Sequence, residues 1–325
     1  MNEKIRIAIV GYGNVGRGVE KACGNNPDME LKAVFTRRAG IKIASGVPAI
    51  AVDDAEKHKN DIDVAVLCGG SATDLDQQGP LFAKMFNTVD SFDTHAKIPG
   101  YFSVMDGTAK ASGKIAVIST GWDPGLFSLQ RVLAESVLPD GQTHTFWGRG
   151  VSQGHSDAVR RIEGVLDARQ YTIPVASAAD RVRAGEKPSL STREKHRRDC
   201  YVVASDGADK DAIENAIKSM PNYFADYDTD VTFISREEME TKHSQMPHGG
   251  FVLRSGETAA RCGHLIEFSL KLDSNPEFTS SVLVAYARAA GRLNKRGESG
   301  ARTVFDIAAA DLSPKSGEEL RKELL

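Results

Sequence analysis

The sequence has few cysteines and none of the spacings that organise a metal site or a disulfide framework. Its four cysteines, Cys23, Cys68, Cys200 and Cys262, are scattered over 325 residues without a C-x-x-C pair or a Cys/His cluster. This pattern argues against a disulfide scaffold and against a zinc site. We therefore expect no metal and four reduced thiols, most of them buried, because free cysteine packs as a small apolar side chain.

The sequence also lacks a long hydrophobic run and a large excess of either charge. The first ten residues, MNEKIRIAIV, hold only a short apolar stretch, unlike a signal peptide or a membrane span. The net charge is −3, so no electrostatic attraction draws the chain to nucleic acid or to a membrane. There is no internal repeat and no low-complexity segment. We expect a cytoplasmic globular protein whose partner is a small neutral or zwitterionic molecule.

The length predicts two domains, and the first 122 residues have the pattern of an α/β domain. Between the apolar runs lie segments whose apolar residues recur every three or four positions, as helices require. The strand candidates are IRIAIV (5–10), ELKAVF (30–35), DIDVAVLC (61–68), NTVDSF (87–92) and KIAVIS (114–119). This repetition predicts a Rossmann-type parallel sheet with helices on both faces.

From about residue 123 the pattern changes to longer strands with alternating apolar and polar residues. In HLIEFSLKL (264–272), for example, Ile266, Phe268, Leu270 and Leu272 share one face. Helices are expected at about 209–219 and 280–296. Residues 123–279 are predicted to form an α+β domain on a mostly antiparallel or mixed sheet, serving substrate binding and dimerisation. The charged stretches 184–199 and 288–302 are interpreted as polar loops or helix ends, and solvated surface is expected for most of each.

A glycine-rich loop follows the first predicted strand and opens a helix. In IVGYGNVGRGVE, Gly11, Gly13 and Gly16 form G-x-G-x-x-G, which permits a tight turn and close approach of a pyrophosphate to the helix N-terminus. The second strand ends in Thr36, Arg37 and Arg38, where NAD-binding proteins place an acid for the ribose hydroxyl. A hydroxyl and two guanidinium groups favour the 2′-phosphate of NADP.

The other strand exits carry further polar groups, and ligands of open parallel sheets bind at these ends. The third strand exits into CGGSATD, the fourth into SFDTH and the fifth into STGWDPG, so Asp93 and Asp123 are expected at neighbouring exits. Two carboxylates there suit a substrate ammonium, which they can hold and deprotonate. Trp122 and Trp147 lie beside these polar groups, and each either walls a ligand pocket or belongs to the core.

A second reaction class is indicated by GVSQG (150–154), which matches the G-x-S-x-G nucleophile elbow of hydrolases. Asp157 and His243 or His248 follow Ser152 in the right chain order. The polar residues before Ser152 weaken this hypothesis. The alternative is a helix that begins here and presents backbone donors of Gln153–Asp157 to an anion such as a substrate carboxylate.

Along nearly its whole length the chain resembles the meso-diaminopimelate dehydrogenase family. The resemblance lies in GYGNVGRGVE, VFTRR, LCGGSATD, STGWDPGLFS, TFWGRGVSQGHSDAVRRI, YTIP, MPHGGFV and LDSNPEFT. It implies NADP-dependent oxidative deamination at the D-centre of meso-2,6-diaminopimelate, giving L-2-amino-6-oxopimelate and ammonia, with the reverse reaction leading toward lysine and peptidoglycan precursors. As in other two-domain dehydrogenases, residues from about 280 to 325 are expected to pack back onto the first domain, and a two-fold homodimer is the default.

The resemblance also implies a set of site residues. Asp93 and Asp123 are the catalytic candidates, and which of them takes the proton stays open. The cofactor is assigned to Gly11, Tyr12, Gly13, Asn14, Gly16, Thr36, Arg37, Arg38, Cys68, Gly69, Gly70, Ser71, Ser91, Phe92, Asp93, Thr120, Gly121, Trp122, Asp123 and Pro124. The D-centre of the substrate is assigned to Asp93, Asp123, Trp147, Gln153, Gly154, His155, Ser156 and Asp157, and the L-centre to Thr172, Arg198, His248 and Asn275.

Three alternatives to this reaction stay open at the level of sequence. They are a related NADP-dependent D-amino acid dehydrogenase, a serine hydrolase at Ser152, and a nicotinamide-binding sensor without chemistry. For a sensor, the aspartates at the strand exits and the L-centre residues would be superfluous.

Overall fold

The computed structural model describes residues 4–325, which form two compact units. The first unit contains the chain up to Leu129 together with Pro276–Leu325, and the second contains Gln130–Asn275. The assignment of cofactor binding to one unit and of substrate binding to the other stays a prediction. Among residues 4–325, no helix is both long enough and apolar enough to cross a membrane.

Strands and helices alternate through the first part of the chain. They are β1 (Ile5–Val10), α1 (Asn14–Gly24), β2 (Met29–Thr36), β3 (Ala49–Ala51), β4 (Val64–Leu67), α2 (Asp76–Ala83), β5 (Asn87–Asp90), α3 (Ile98–Ser112), β6 (Ile115–Val117) and α4 (Leu126–Val137). Next come β7 (Gly141–Trp147), β8 (Gly150–Val151), α5 (Gln153–Arg160), β9 (Val165–Pro174), α6 (Ala176–Arg183), α7 (Thr192–Lys195), β10 (His196–Ala204), α8 (Lys210–Lys218), β11 (Asp228–Phe233), α9 (Arg236–Lys242), β12 (His248–Ala259) and β13 (Cys262–Leu272). The last elements are α10 (Asn275–Lys295), β14 (Gly300–Arg302), α11 (Ala309–Leu312) and α12 (Gly317–Leu324).

The first unit is built on a parallel sheet of seven strands in the order β14-β6-β5-β4-β1-β2-β3. The strand order reverses at β1, which lies between β2 and β4. The crevice beyond the carboxyl end of β1 is therefore the place where such sheets bind ligands. The predicted Rossmann-type sheet is confirmed, and the C-terminal segment adds its outermost strand, β14.

Both faces of this sheet are buried, which explains the apolar runs in its strands. Ile7 and Ile9 belong to one core cluster together with Leu283 of α10. Ala8 and Val10, the alternate residues of the same strand, belong to a second cluster with α2 and α3. Successive side chains point to opposite faces of a strand, so a strand covered on both sides must be apolar throughout.

The second unit contains two sheets. A mixed sheet of four strands has the order β11-β10-β9-β8, and an antiparallel sheet of three has the order β13-β12-β7. Helices α5 and α8 cover the first sheet, and α6 covers the second. The predicted α+β organisation is confirmed, with two sheets in place of one.

Three titratable residues of the charged stretches are exceptions to the solvated surface expected for most of each stretch. His196 and Arg198 belong to β10 and are 1% and 6% exposed. Arg288 of α10 is 1% exposed and donates to both carboxylate oxygens of Asp28, at 2.6 and 2.8 Å. A charged residue can be buried when it is paired or awaits a ligand, and local charge density does not reveal this.

Candidate active site

The glycine loop after β1 has the geometry that a dinucleotide requires. Gly11 has φ +90°, in the region that favours glycine, and its N–H donates to the carbonyl oxygen of Phe35 at 2.8 Å. A Cβ on Gly16 would overlap the Gly11 carbonyl, so α1 packs tightly on the turn. Gly13 caps α1 without a side-chain hydrogen bond and has open space where a Cβ would stand. The loop thus leaves backbone N–H groups and room for a phosphate.

A cleft of about 270 Å³ joins this loop to the ends of β2 and β4. Of the predicted residues, it brings together Gly11, Tyr12, Gly13, Thr36, Arg37, Arg38, Cys68, Gly69 and Gly70. Phe35, Val52, Asp74 and Gln78 also line it and were not predicted. Four glycines and two arginines at one cleft fit a negatively charged nucleotide, since they supply close backbone approach and charged donors for phosphate groups.

The arginines at the end of β2 are held by neighbouring groups of the cleft. Arg37 donates to Asp74 at 2.8 Å, and Arg38 donates to the carbonyl oxygen of Tyr12. Thr36 is 7% exposed, and its hydroxyl accepts from the N–H of Arg38 at 3.1 Å. Burial alone would raise the pKa of Asp74, but hydrogen bonds from Gly70, Thr73 and Arg37 outweigh it and lower the pKa. Asp74 is therefore an ionised anchor for Arg37.

The exit loops of β4 and β5 are tied to each other by a hydrogen bond. The N–H of Asp93 donates to the Ser71 hydroxyl at 2.8 Å. The side chain of Phe92 is fully buried and stacks on Tyr101 at 4.2 Å between ring centroids. Of the predicted cofactor residues in this loop, Phe92 thus has only backbone atoms left for a ligand.

The exit loop of β6 forms a compact turn around Trp122. The N–H of Phe127 donates to the carbonyl oxygen of Trp122 at 2.7 Å, and the two rings meet edge to face at 5.3 Å. Trp122 is 7% exposed, so it belongs to the core of the first unit. The turn presents Asp123 and Pro124 next to this tryptophan.

In the second unit, Arg198 is a buried cation without a described anionic partner. It faces Thr172 across the β9–β10 pair, and its Nη1 donates to the Thr172 hydroxyl. Its guanidinium lies over the ring of Tyr227 at 3.8 Å from the centroid, and its Nε has no hydrogen-bond partner among residues 4–325. Neither a hydroxyl nor an aromatic ring neutralises a buried guanidinium, so the arrangement is suited to an incoming carboxylate.

Three histidines lie within the electrostatic influence of Arg198. Burial, with the Arg198 charge adding to it, lowers the pKa of His155 to about 4 and that of His196 to about 3. Burial and the same charge also lower the pKa of His248, against a hydrogen bond with Gly249 that raises it. All three rings are neutral at pH 7, which leaves Arg198 as the cation of the cluster.

Trp147 is positioned by His196. The backbone N–H of Trp147 donates to His196 Nε2 at 2.8 Å, and the two rings stack at 5.1 Å between centroids with an angle of 25°. Trp147 is half-buried. The predicted role of this tryptophan as a pocket wall stays a prediction.

The hydrolase set at Ser152 is not assembled. Ser152 is the N-cap of α5, and its hydroxyl lies 2.7 Å from Nδ1 of His155. His243 bonds Tyr171 at 2.9 Å, and Asp157 pairs with arginines of its own helix. Ser152 has φ −85°, an ordinary value, whereas an elbow serine sits on a strained turn. The G-x-S-x-G sequence at residues 150–154 therefore marks the start of helix α5 and is not a nucleophile elbow.

Helix α5 also links several residues assigned to the substrate. Gln153 donates to the sulfur of Met246 at 3.1 Å, and the carbonyl oxygen of Met246 accepts from the N–H of Asn275 at 2.9 Å. The Ser156 hydroxyl is buried between the Ser152 carbonyl oxygen and the Gln170 N–H. Ser156 therefore stabilises the start of the helix with its side chain.

Sequence reasoning missed Tyr227 and Asp74, and it did not single out Asp90, which is buried at the end of β5. Tyr227 lies in the polar run ADYDTD and carries no local signal. Asp90 did carry one, because it is a charged residue at the end of an otherwise buried strand. Such an acid is expected to have a specific partner.

The neutral state of His196 predicts a pH dependence of folding. Its pKa is about 3 when folded and ordinary when unfolded, so the unfolded chain binds more protons between these values. The stabilising contribution is complete above about pH 6.5 and is lost as the pH falls toward 3. We expect His196→Asn to reduce the slope of unfolding free energy against pH by about 1.4 kcal/mol per pH unit between pH 6 and 5.

Urea unfolding at pH 7, 6 and 5 measures this slope for the protein and the variant. The control is His264→Asn, which replaces an exposed histidine. Its slope of unfolding free energy against pH should equal that of the parent protein. Parallel pH curves for His196→Asn and the parent would contradict the assignment.

The chain is similar to known proteins over nearly its full length. Residues 121–274 match the family model described as the diaminopimelic acid dehydrogenase C-terminal domain. The meso-diaminopimelate D-dehydrogenase of Ureibacillus thermosphaericus is 64% identical over 324 residues, which are 99% of each chain. A solved structure of a meso-diaminopimelate dehydrogenase mutant of Clostridium tetani E88 with DAP is 56% identical, with a TM-score of 0.94, covering 99% of this chain and 100% of the other.

A second solved structure carries a cofactor. It is an engineered D-amino acid dehydrogenase bound to NADP⁺, 46% identical, with a TM-score of 0.88, covering 99% of this chain and 100% of the other. Identity at these levels over whole chains is shared by proteins of one family. The chain belongs to the meso-diaminopimelate D-dehydrogenase family.

Proposed function

We propose that the chain catalyses the reversible NADP-dependent oxidative deamination of meso-2,6-diaminopimelate at its D-centre, giving L-2-amino-6-oxopimelate and ammonia. The supporting observation is Arg198, a guanidinium 6% exposed whose described partners, Thr172 and Tyr227, are uncharged. A carboxylate at the far end of a dicarboxylic substrate would complete this site with charge-assisted hydrogen bonds. A simple D-amino acid has no second carboxylate to offer.

The L-centre of the substrate is assigned to Thr172, Arg198, His248 and Asn275. Arg198 binds the carboxylate, Thr172 and His248 donate to it, and Asn275 accepts from the ammonium. The residue types replaced in the Clostridium tetani variant occur here in the same order and with the same spacings, as Gln153, Thr172, Arg198, Pro247, His248 and Asn275. This agreement supports the assignment. Holding the L-centre lets the enzyme choose which α-hydrogen is transferred.

The D-centre is assigned to Asp93, Asp123, Trp147 and the backbone of Gln153–Asp157. Asp93 and Asp123 hold the substrate ammonium, and one of them takes its proton while the α-hydrogen leaves as hydride. The carbon–nitrogen bond becomes an imine, water adds to it, and ammonia leaves. The backbone donors at the start of α5 bind the adjacent carboxylate.

NADP⁺, when bound, supplies the hydride acceptor. Its phosphates are assigned to the glycine loop, and its 2′-phosphate to Thr36, Arg37 and Arg38, with the remaining contacts from the exit loops of β4, β5 and β6. The uncapped helix at Gly13 supports the binding of a dinucleotide pyrophosphate, and the two arginines of the cleft support NADP over NAD.

One absorbance experiment tests the proposal. The protein is mixed with NADP⁺ and meso-diaminopimelate, and absorbance at 340 nm is followed, with NAD⁺ and the L,L and D,D isomers in parallel. We expect the absorbance to rise with NADP⁺ and the meso isomer. A constant absorbance with NADP⁺ and the meso isomer would overturn the proposed function. The homodimer that we also propose is tested separately, by measuring the molar mass of the protein in solution with light scattering after size-exclusion chromatography.

A further inference from the structure

A buried carboxylate connects the two loops that carry Asp93 and Asp123. Asp90, the last residue of β5, is 0% exposed. Its Oδ1 accepts hydrogen bonds from the N–H of Phe92 at 3.0 Å and from the N–H of Ser119 at 3.1 Å. One oxygen atom therefore binds the chain just beyond β5 and just beyond β6.

The other acceptors of Asp90 strengthen the same connection. Its Oδ2 accepts from the Tyr101 hydroxyl at 2.8 Å. Its carbonyl oxygen accepts from the N–H of Thr120 at 2.9 Å and from the Thr120 hydroxyl at 2.7 Å. Asp90 thus accepts five hydrogen bonds from four residues.

The backbone at Ser119 shows that this region is under constraint. Ser119 has φ +56°, a left-handed value that residues other than glycine seldom adopt. Such a conformation is strained and persists only where the surroundings determine it. The hydrogen bonds from Ser119 and Thr120 to Asp90 provide this determination.

We infer that Asp90 is a positioning residue, which orients Asp93 and Asp123 toward the substrate ammonium. The inference rests on the proposed function. Asp93 directly follows Phe92, and Asp123 lies on the turn that follows Thr120. A shift of either loop would therefore move a carboxylate out of place, and misplacement by about 1 Å can cost a large factor in rate.

The protonation state of Asp90 suits this role. Burial raises its pKa to about 6, and the hydrogen bonds from Phe92, Tyr101 and Ser119 limit the rise. Above that pH the ionised carboxylate accepts from all three donors. Charge-assisted bonds of this kind are roughly twice as strong as neutral ones.

Asn87 offers a matched control at the opposite end of the same strand. It is 4% exposed, and its Oδ1 accepts from the N–H of Ile115 at 2.9 Å at the start of β6. Its Nδ2 donates to the carbonyl oxygen of Asp63 at 2.8 Å. Asn87 therefore connects β5 to its neighbours as Asp90 does, but at the edge away from the exit loops.

The experiment compares Asp90→Ala, Asp90→Asn and Asn87→Ala by steady-state kinetics and thermal unfolding. We expect Asp90→Ala to lower kcat by about tenfold or more, while KM for NADP⁺ changes by less than about threefold. Asp90→Asn keeps an oxygen that accepts from both N–H groups and should restore kcat to within about threefold of the parent. Asn87→Ala should lower Tm and leave kcat within about twofold.

The inference is overturned if Asp90→Ala keeps kcat within about twofold of the parent, or if Asn87→Ala loses as much kcat as Asp90→Ala. If Asp90→Ala does not fold, the variant Tyr101→Phe, which removes the hydrogen bond to Asp90, tests the inference instead. We expect it to lower kcat by about threefold and to leave KM for NADP⁺ unchanged. An unchanged kcat of Tyr101→Phe then overturns the inference. If the parent protein itself is inactive, the proposed function is overturned and the inference with it. If the parent protein is active and the variants give the contradicting results, only the inference is overturned.

Discussion

Replacing Arg198 by methionine is expected to lower kcat/KM for meso-diaminopimelate by about a hundredfold or more, with KM for NADP⁺ within about twofold of the parent. Arg198 is 6% exposed, and truncating one partner of a buried charge pair costs roughly 2–5 kcal/mol. Methionine has a similar volume and keeps the apolar contact with Tyr227. The loss therefore measures the guanidinium and its carboxylate.

The adjacent residue supplies the control for this prediction. Arg197 points to the opposite face of β10, because successive side chains of a strand alternate. Its side chain is 45% exposed and pairs with Asp199 at 3.0 Å and Asp230 at 3.1 Å. Arg197→Met should leave kcat/KM within about twofold, since exposed ion pairs contribute little. Equal losses in the two variants would show that charge on β10, and not the buried site, matters.

The double variant Arg37→Ala, Arg38→Ala is expected to raise KM for NADP⁺ by about a hundredfold and KM for NAD⁺ by less than about threefold. Only NADP⁺ carries the 2′-phosphate, and a hydrogen bond to a charged group contributes roughly 1.5–3 kcal/mol. Both arginines are exposed at the cleft, so solvent weakens their bonds to the phosphate. The combined loss of binding free energy should therefore correspond to two bonds at the lower end of this range.

The ion pair of Arg37 with Asp74 is compatible with this prediction. A guanidinium has five N–H donors, and its 2.8 Å bond to Asp74 uses only one of the two terminal nitrogens. Asp74 then holds Arg37 in place while the other donors face a phosphate. The measurement is the ratio of kcat/KM for the two cofactors at constant ionic strength.

Lys32→Ala with Lys57→Ala removes the same number of positive charges from the first unit. Lys32 pairs with Glu30 at 3.1 Å and Lys57 with Asp54 at 2.6 Å, both on the exposed surface. This control should leave the cofactor ratio unchanged. If the arginine variant lowers kcat/KM equally for NADP⁺ and NAD⁺, the stretch FTRR is an exposed surface segment that does not bind the 2′-phosphate.

Patterns within single elements predicted most of the first unit. The apolar run IRIAIV became β1, and the run KIAVIS contains β6, because a strand buried on both faces must be apolar throughout. The glycine loop was predictable for a similar reason. Its backbone geometry at Gly11 is a local requirement that glycine alone meets without strain.

Local patterns do not identify residues whose partners are distant in sequence. Arg198 lies in a charge run and was assigned to the substrate only through the family resemblance, because its burial depends on the pairing of β9 with β10 and on Tyr227. The hydrolase hypothesis at Ser152 was wrong for the same reason. A serine, an aspartate and a histidine in the right chain order form a catalytic set only if the fold brings them together.

The sequence by itself determined the parallel sheet, the cofactor loop and the family, because each depends on local patterns or on whole stretches of residues. Only the tertiary structure decided which charges are buried and what each contacts. Arg198 among uncharged groups and Asp90 beneath two exit loops are the clearest cases. The reason is physical: burial and hydrogen-bond partnership are properties of neighbours in space, and the chain order does not specify them.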